Sequence, residues 1–422
     1  MLPLCETADD AQAVRALSGD KRYAVVRRLG SGASSTVFLA CDRLRSNALV
    51  AIKVVSDSKV SRSEILAGVC LGRHPTMAAM IDWFSARDHY FLVFEHIDGP
   101  DLQVLWAGLP ATRDFFDEFA FRRVFLCVLD AVAHCHEHGV VHRDIKMENV
   151  VMRDDGGSAC LVDFGFAFFV HPPRASRSMD ARHTDKFSRH QRESASLPSQ
   201  GPAADQRNQR SRPLPSVATP RLRYETDSDA AEGRLDHRAG SIESRASGRD
   251  QRRGLDCIYR RNRDGMLVAM RMDTPDVLDS TNAFVGTEEY CAPELTLGAL
   301  IEPADLFATD VYSLGVLLHV ALTDRFPQRP DFVEFLIATR YRLQHAHHPM
   351  DPREALADPR LMAEINRRGA LDLAAMPSTT HTPLSAQVRD LITRMLRPVP
   401  AERITLAQVQ GHPWVMAGRR CY

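Results

Sequence analysis

The sequence predicts an α+β fold in which a β-rich first portion precedes a mainly helical remainder. Leu49-Val-Ala-Ile-Lys-Val-Val55 and Tyr90-Phe-Leu-Val-Phe94 are short runs of β-branched and aromatic residues, the composition of buried strands. From Phe115 to His136, large apolar residues recur at helical spacing through Phe121, Phe125, Val128, Leu129 and Val132. Val311 to Leu322 and Ser385 to Leu396 repeat that helical period near the end of the chain.

Composition agrees with a packed core. The 422 residues are 44% hydrophobic and 25% charged, with 53 basic against 54 acidic side chains. A near-neutral balance offers no bulk attraction to nucleic acid or to a membrane surface, so neither is expected as a partner. Nine scattered cysteines form no paired framework, which points to a reducing compartment, the cytoplasm, the nucleus or both. The first residues lack a basic n-region, and the longest apolar run, Leu314 to Leu322, is interrupted by His319. Neither a secretory leader nor a membrane span is expected. Between 171 and 265 the texture changes to Arg, Ser, Asp, Gln, Pro and Ala. Such a stretch cannot bury enough apolar surface to offset its ordering entropy, and it reads as a disordered insertion.

Four segments carry chemistry. Gly30-Ser-Gly32-Ala-Ser-Ser35 follows a short strand pattern; glycines there leave backbone amides open to anionic oxygens, although Gly-Ser stretches also serve as plain turns. Lys53, inside an apolar strand, needs either an anion or a route to water, and Glu64, eleven residues on, is a candidate carboxylate. In His142-Arg-Asp144-Ile-Lys146-Met-Glu-Asn149, a carboxylate and an amide five residues apart can divide the labour of phosphoryl transfer. Asp144 would orient a hydroxyl and accept its proton, Asn149 would hold a metal, and Lys146 would offset charge on the transferred group. Asp163-Phe-Gly165 follows an apolar run, and its carboxylate suits a hard cation such as Mg²⁺.

Together with Gly286-Thr287, Ala292-Pro293-Glu294, Asp310 and Arg403, these ordered motifs resemble a eukaryotic protein kinase of the Ser/Thr type, from about Tyr23 to Trp414. The resemblance implies a bilobal fold, a small β-rich lobe over 23–98 and a large helical lobe over 99–170 and 266–415. Tails at 1–22 and 416–422 would flank it, with the 171–265 insertion inside the activation segment. It implies ATP and Mg²⁺ as cofactors and proteins as substrates, with the oligomeric state open. Gly30 and Gly32 would cover the nucleotide, Val37 and Ala51 would roof the adenine, and Glu95 to Ile97 would form the hinge behind Phe94. Asp101 would reach the ribose. Lys53, paired with Glu64, would hold the α- and β-phosphates; Asp144 would be the base; Asn149 and Asp163 would hold Mg²⁺. Asp310 would brace the catalytic loop, and Glu294 and Arg403 would form a buried ion pair. Lys146 and Thr287 favour Ser/Thr acceptors, and Glu148, Glu289 and Asp101 suggest basic residues upstream of them, although Val320 departs from the strongly basophilic pattern. His412-Pro-Trp414 resembles the calmodulin-dependent kinase group.

Two departures stand out. Ala283 occupies the usual activating phosphosite, leaving Ser280, Thr281 or a serine of the insertion as substitutes. Gly68, one turn after Glu64, lacks the bulky side chain that joins the two lobes, so a mobile helix with a conditional Lys53–Glu64 contact is expected. These keep an alternative in view, a pseudokinase-like scaffold acting through its insertion. His134-Cys-His136-Glu-His138 invites a zinc reading, but no second ligand pair is evident, and members of the resembled family often carry His at the end of this helix.

Overall fold

The computed structural model describes residues 14, 17, 22–31, 35–55, 58–86, 89–108, 113–153, 157–170, 257–261, 267–271, 286–297, 306–327, 330–345, 358–369 and 383–420. The chain divides into two compact units, residues 1–173 with 271–422, and residues 174–270.

The larger unit opens with five strands, β1 (Tyr23–Ser31), β2 (Ser35–Asp42), β3 (Ala48–Val55), β4 (Met80–Ala86) and β5 (His89–Glu95). They form an antiparallel sheet in the order β1-β2-β3-β5-β4. Helix α1 (Ser58–Leu71) connects β3 to β4 and buries Ile65, Leu66 and Ala67. Alternation along β3 assigns its two faces: Val50, Ile52 and Val54 join Phe38, Ala40, Phe84, Phe91 and Val93 in a core cluster. Ala51 and Lys53 therefore point to the opposite face.

That cluster includes Leu17, which is fully buried, and Val14 packs against it. The expectation of a tail over 1–22 is corrected at these two positions. Three residues apart and both helical, they bring apolar side chains to one face, where the sheet offers apolar surface to cover.

The helical portion is built on α2 (Leu102–Ala107), α3 (Glu118–Glu137) and, after the short strands β6 (Val140–Val141), β7 (Val150–Met152), β8 (Ala159–Leu161) and β9 (Phe168–Phe169), on a second group of helices. The 115–136 periodicity becomes a 3-10 turn, Arg113–Phe116, followed by α3, because Asp117 caps the helix by accepting a bond from Phe119 N at 2.8 Å. Strands Cys257–Arg261 (β10) and Leu267–Arg271 (β11) form a two-stranded sheet of their own. Order is therefore present at 257–261, where none was expected; Cys-Ile-Tyr there has strand-forming composition. Residues 171–256 and 262–265 of that insertion lie outside the described residues, as do Gly32, Ser280, Thr281 and Ala283.

The remaining helices are α4 (Pro293–Thr296), α5 (Leu306–Thr323), α6 (Pro330–His345), α7 (Pro359–Arg368), α8 (Ala386–Met395), α9 (Leu406–Gln410) and α10 (Pro413–Arg419). By length and composition α5 could cross a membrane, but 89% of it is buried within the protein. It packs between α3 and α8, and its apolar surface on every side is that of a core helix. Trp414, fully buried, meets Phe125 edge-on at 5.6 Å and donates its indole N–H to Glu118 at 2.8 Å.

Candidate active site

Lys53 is the first charged group at the site. Cross-strand pairing sets it opposite Val37 on β2 and Leu92 on β5, and its ammonium lies 2.8 Å from Glu64 Oε2 and 2.7 Å from Asp163 Oδ1. The contact expected to be conditional is thus formed. One ammonium is shared by two carboxylates, so the trio carries a net negative charge. Burial opposes the charge on Lys53, but Glu64 and Asp163 outweigh it and raise its pKa. Glu64, 1% exposed, is where the excess negative charge is most readily relieved by a proton: burial pushes its carboxyl up to about 7 against the pull of Lys53. Asp163 is also opposed by burial, yet Lys53 and the Gly165 N–H at 3.0 Å bring it below its ordinary value.

The raised Glu64 pKa has a signed consequence for stability. The folded chain holds this proton more tightly than the unfolded chain, so the contribution is complete below the ordinary carboxylate value and is lost as pH rises through about 7. Glu64→Gln, neutral throughout, is expected to flatten the fall in thermal midpoint between about pH 5 and pH 8. A slope identical to that of the unsubstituted chain would exclude Glu64 as its source.

The loop after β6 is held from beneath by α5. Asp310, fully buried, accepts bonds from His142 N at 2.8 Å, Arg143 N at 2.9 Å and the His136 ring at 2.8 Å. These bonds secure Arg143 at φ 64°, a left-handed conformation a non-glycine residue rarely adopts. Its guanidinium donates to Phe166 O at 2.7 Å, and burial lowers its pKa to about 10.

Asp144 is ringed by donors. Oδ2 accepts from Asn149 Nδ2 and Lys146 Nζ, each at 2.9 Å; Oδ1 accepts from Thr287 N and Thr287 Oγ1, each at 3.1 Å. Lys146 Nζ donates to Thr287 Oγ1 at 2.8 Å, which joins the two loops. Asn149 also donates to Asp144 O at 2.8 Å, so its amide nitrogen is spent on Asp144 and its amide oxygen is the atom left for another partner. Gly286, at φ 98°, lets the Thr287 loop approach; a Cβ there would stand 2.6 Å from Arg143 O.

Asn149 and Asp163 flank a short hairpin. Val150 pairs with Leu161, and Val162 N donates to Asn149 O at 2.9 Å, so the amide and the carboxylate emerge from neighbouring positions on adjacent strands. Asp163 sits at φ 62°, and its contact with Lys53 ties the hairpin to the sheet.

Over residues 23–187 and 268–415 the sequence matches the family described as "Protein kinase domain". The chain belongs to the protein kinase family. Among the kinase's relatives, "Probable serine/threonine-protein kinase KIN1 homolog" from Enterocytozoon bieneusi (strain H348) is 30% identical over 155 residues, 35% of this chain and 25% of its own length. "CBL-interacting protein kinase 4" from Oryza sativa subsp. japonica is 34% identical over 154 residues, 35% of this chain and 33% of its own length. "Protein kinase PINOID" from the same rice is 26% identical over 423 residues, 94% of this chain and 66% of its own length. The kinase therefore spans between a quarter and two thirds of these relatives.

The other expected positions fall as follows. Gly30 pairs with Val37, and Ala51 pairs with Leu39 and Phe94, which puts all of them on the Lys53 face of the sheet. Glu95 directs its carboxylate to Arg153 at 2.9 Å, and Ile97 is buried just beyond. Asp101 has a use the sequence reading missed: it caps α2 by accepting from Val104 N at 2.8 Å, and an aspartate immediately before a helical turn was the available signal. Glu294 and Arg403 form a two-bond pair at 2.6 and 2.9 Å. The zinc reading of 134–138 does not hold. His134 and His138 lie ring against ring at 4.3 Å, His134 Nε2 meets Leu71 O, His136 turns to Asp310, and no three potential ligands converge among the described residues.

Proposed function

We propose that this kinase transfers the γ-phosphoryl group of ATP to serine or threonine hydroxyls of protein substrates. The observation that supports this best is the arrangement around Asp144, a carboxylate fixed by Asn149, Lys146 and Thr287 beside the Lys53–Asp163 contact. In this reading Asp144 orients the acceptor hydroxyl and receives its proton. The hydroxyl oxygen forms a bond to the γ-phosphorus while the bond to the β–γ bridging oxygen breaks, and ADP leaves with that electron pair. Lys146 offsets the charge spread over the moving phosphoryl group, and Lys53 holds the α- and β-phosphates. Gly30, Val37, Ala51 and the 95–97 segment border the nucleotide.

The donors fit magnesium. Asp163 supplies a carboxylate and Asn149 an amide oxygen, an all-oxygen pair of the kind that binds Mg²⁺ together with substrate phosphates. Once bound there, Mg²⁺ would neutralise charge on the β- and γ-phosphates. The complete set of charged contacts favours transfer over a scaffold role.

On the acceptor side, Tyr290 is raised by burial and then by the carboxylates of Glu148, Glu289 and Asp144, which places those acids around one side chain. Glu148 and Glu289 are exposed and would favour acceptors preceded by arginine. Radiolabelled ATP with arrayed Ser, Thr and Tyr peptides tests the whole reading. Incorporation into Ser/Thr peptides with upstream arginine, abolished by EDTA, is expected. Label that persists in EDTA, appears only on a small metabolite, or shows no upstream preference would remove the corresponding part.

A further inference from the structure

Phe168 pairs with Val141 across β6 and β9 and is buried. Around it gather Val141, Val170, Cys291, Leu295 and Leu306, a cluster that draws the two short strands, α4 and α5 together. The same ring also meets a charge. The Arg143 guanidinium carbon lies over it, 5.2 Å from the ring centroid, within reach of the attraction between a cation and an aromatic face. Arg143 Nε donates to Phe166 O at 2.7 Å, so β9 and the residues leading into it supply both the ring and the carbonyl that hold this side chain.

Both neighbours of the ring lead to one carboxylate. Arg143 directly precedes Asp144, and Cys291 lies four residues after Thr287, whose N–H and O–H meet Asp144 Oδ1 at 3.1 Å. We infer that Phe168 is a positioning residue for Asp144: its uncharged ring seats Arg143, so the loop bearing Asp144 is aligned without a phosphate group on the chain. A guanidinium suits such a seat because it is planar, weakly hydrated and stacks on aromatic faces. Arg143 is 6% exposed, which leaves an incoming phosphate little surface to meet. Burial lowers its pKa only to about 10, so the cation persists at neutral pH. Ser280, Thr281 and the serines of the insertion, which the sequence offers as substitutes for Ala283, are then not needed to switch the site on.

The inference rests on the phosphoryl-transfer reading, and the test keeps the two apart. The full chain is treated with phosphatase until its intact mass shows no phosphate, and the phosphatase is removed. Label transfer from ATP to a Ser/Thr peptide is then timed from the first turnover. The dephosphorylated chain is expected to start without a lag, at a rate within about twofold of a sample preincubated with Mg-ATP. A lag, or a larger rise on preincubation, would show that a phosphate aligns the loop and would overturn the inference alone. Transfer by neither sample would overturn the phosphoryl-transfer reading and the inference with it. Phe168→Leu keeps the position apolar but offers no aromatic face. It is expected to lower kcat about tenfold, less than the full worth of a desolvated contact between cation and ring, with KM for ATP unchanged. On an Arg143→Met background, followed long enough to measure slow transfer, Phe168→Leu is expected to cost less than about twofold, because the charge it acts through is gone. Equal losses with and without Arg143 would mean that Phe168 only fills the core, and would overturn its positioning role. Should Phe168→Leu not fold, Phe168→Met, unbranched and adaptable, carries the same comparison.

Discussion

Asp144→Ala is expected to lower kcat by about 10²–10⁴-fold, the range for removing a positioned general base, while leaving the affinity for ATP nearly unchanged. The split follows from what Asp144 touches: Asn149, Lys146 and Thr287, on the acceptor side, rather than the Lys53 group assigned to the nucleotide. Asp144→Asn is expected to fare little better. Both carboxylate oxygens accept from donors, Thr287 N–H and O–H on one and the Asn149 amide and Lys146 ammonium on the other. An amide nitrogen placed on either side would therefore face another donor. Steady-state kinetics with a Ser/Thr peptide, beside nucleotide binding measured by titration calorimetry, check both halves. A rate within a few-fold of the unsubstituted chain would remove Asp144 from the chemistry. Loss of nucleotide binding would instead mean that the substitution had collapsed the loop.

How much of this was legible beforehand depends on the distance over which each feature is determined. Strands at 48–55 and 89–95 and helices at 118–137 and 306–323 follow from local period and composition, and their expected ends lie within a few residues of the real ones. The roles expected for Asp144, Asn149 and Asp163 could be read because their chemistry is packed into short motifs. Contacts between distant segments could not. The His136 ring finds Asp310 across 174 positions, and nothing near His136 distinguishes a support for a carboxylate from a metal ligand. Gly68 reads as a defect until Met80, twelve residues on, is seen to fill it. Leu17 and Val14 precede any periodic run, so their burial depends on sheet surface that a local reading cannot supply. Asp101 shows the opposite case, since its capping signal was local and legible and yet went unread.

The Glu294–Arg403 pair should show the largest effect on stability. Both residues are almost fully buried, and the guanidinium reaches the carboxylate through two bonds while donating to the carbonyls of Ala308, Arg397 and Pro398. Arg403→Ala strands a buried carboxylate and removes the donor those carbonyls use, at an expected cost of about 3–5 kcal/mol. For a domain of this size that corresponds to a fall in thermal midpoint of about 5–8 °C. Arg403→Lys is expected to recover little, because an ammonium lacks the planar fork that satisfies both oxygens. The double variant Glu294→Leu with Arg403→Met is the informative comparison. Removing both charges eliminates the unpaired carboxylate, so it should be more stable than Arg403→Ala alone even though it has lost more of the native pair. α4, which carries Glu294, follows directly on the segment bearing Thr287 and Tyr290, and Ser313 on α5 donates to Tyr290 O at 2.9 Å. A loosened pair should therefore also lower kcat through the Thr287–Asp144 contact. A stability loss no larger than the roughly 1 kcal/mol typical of an exposed pair would show that water reaches Glu294 in solution. The buried bridge would then have no part in holding the Thr287 loop against Asp144.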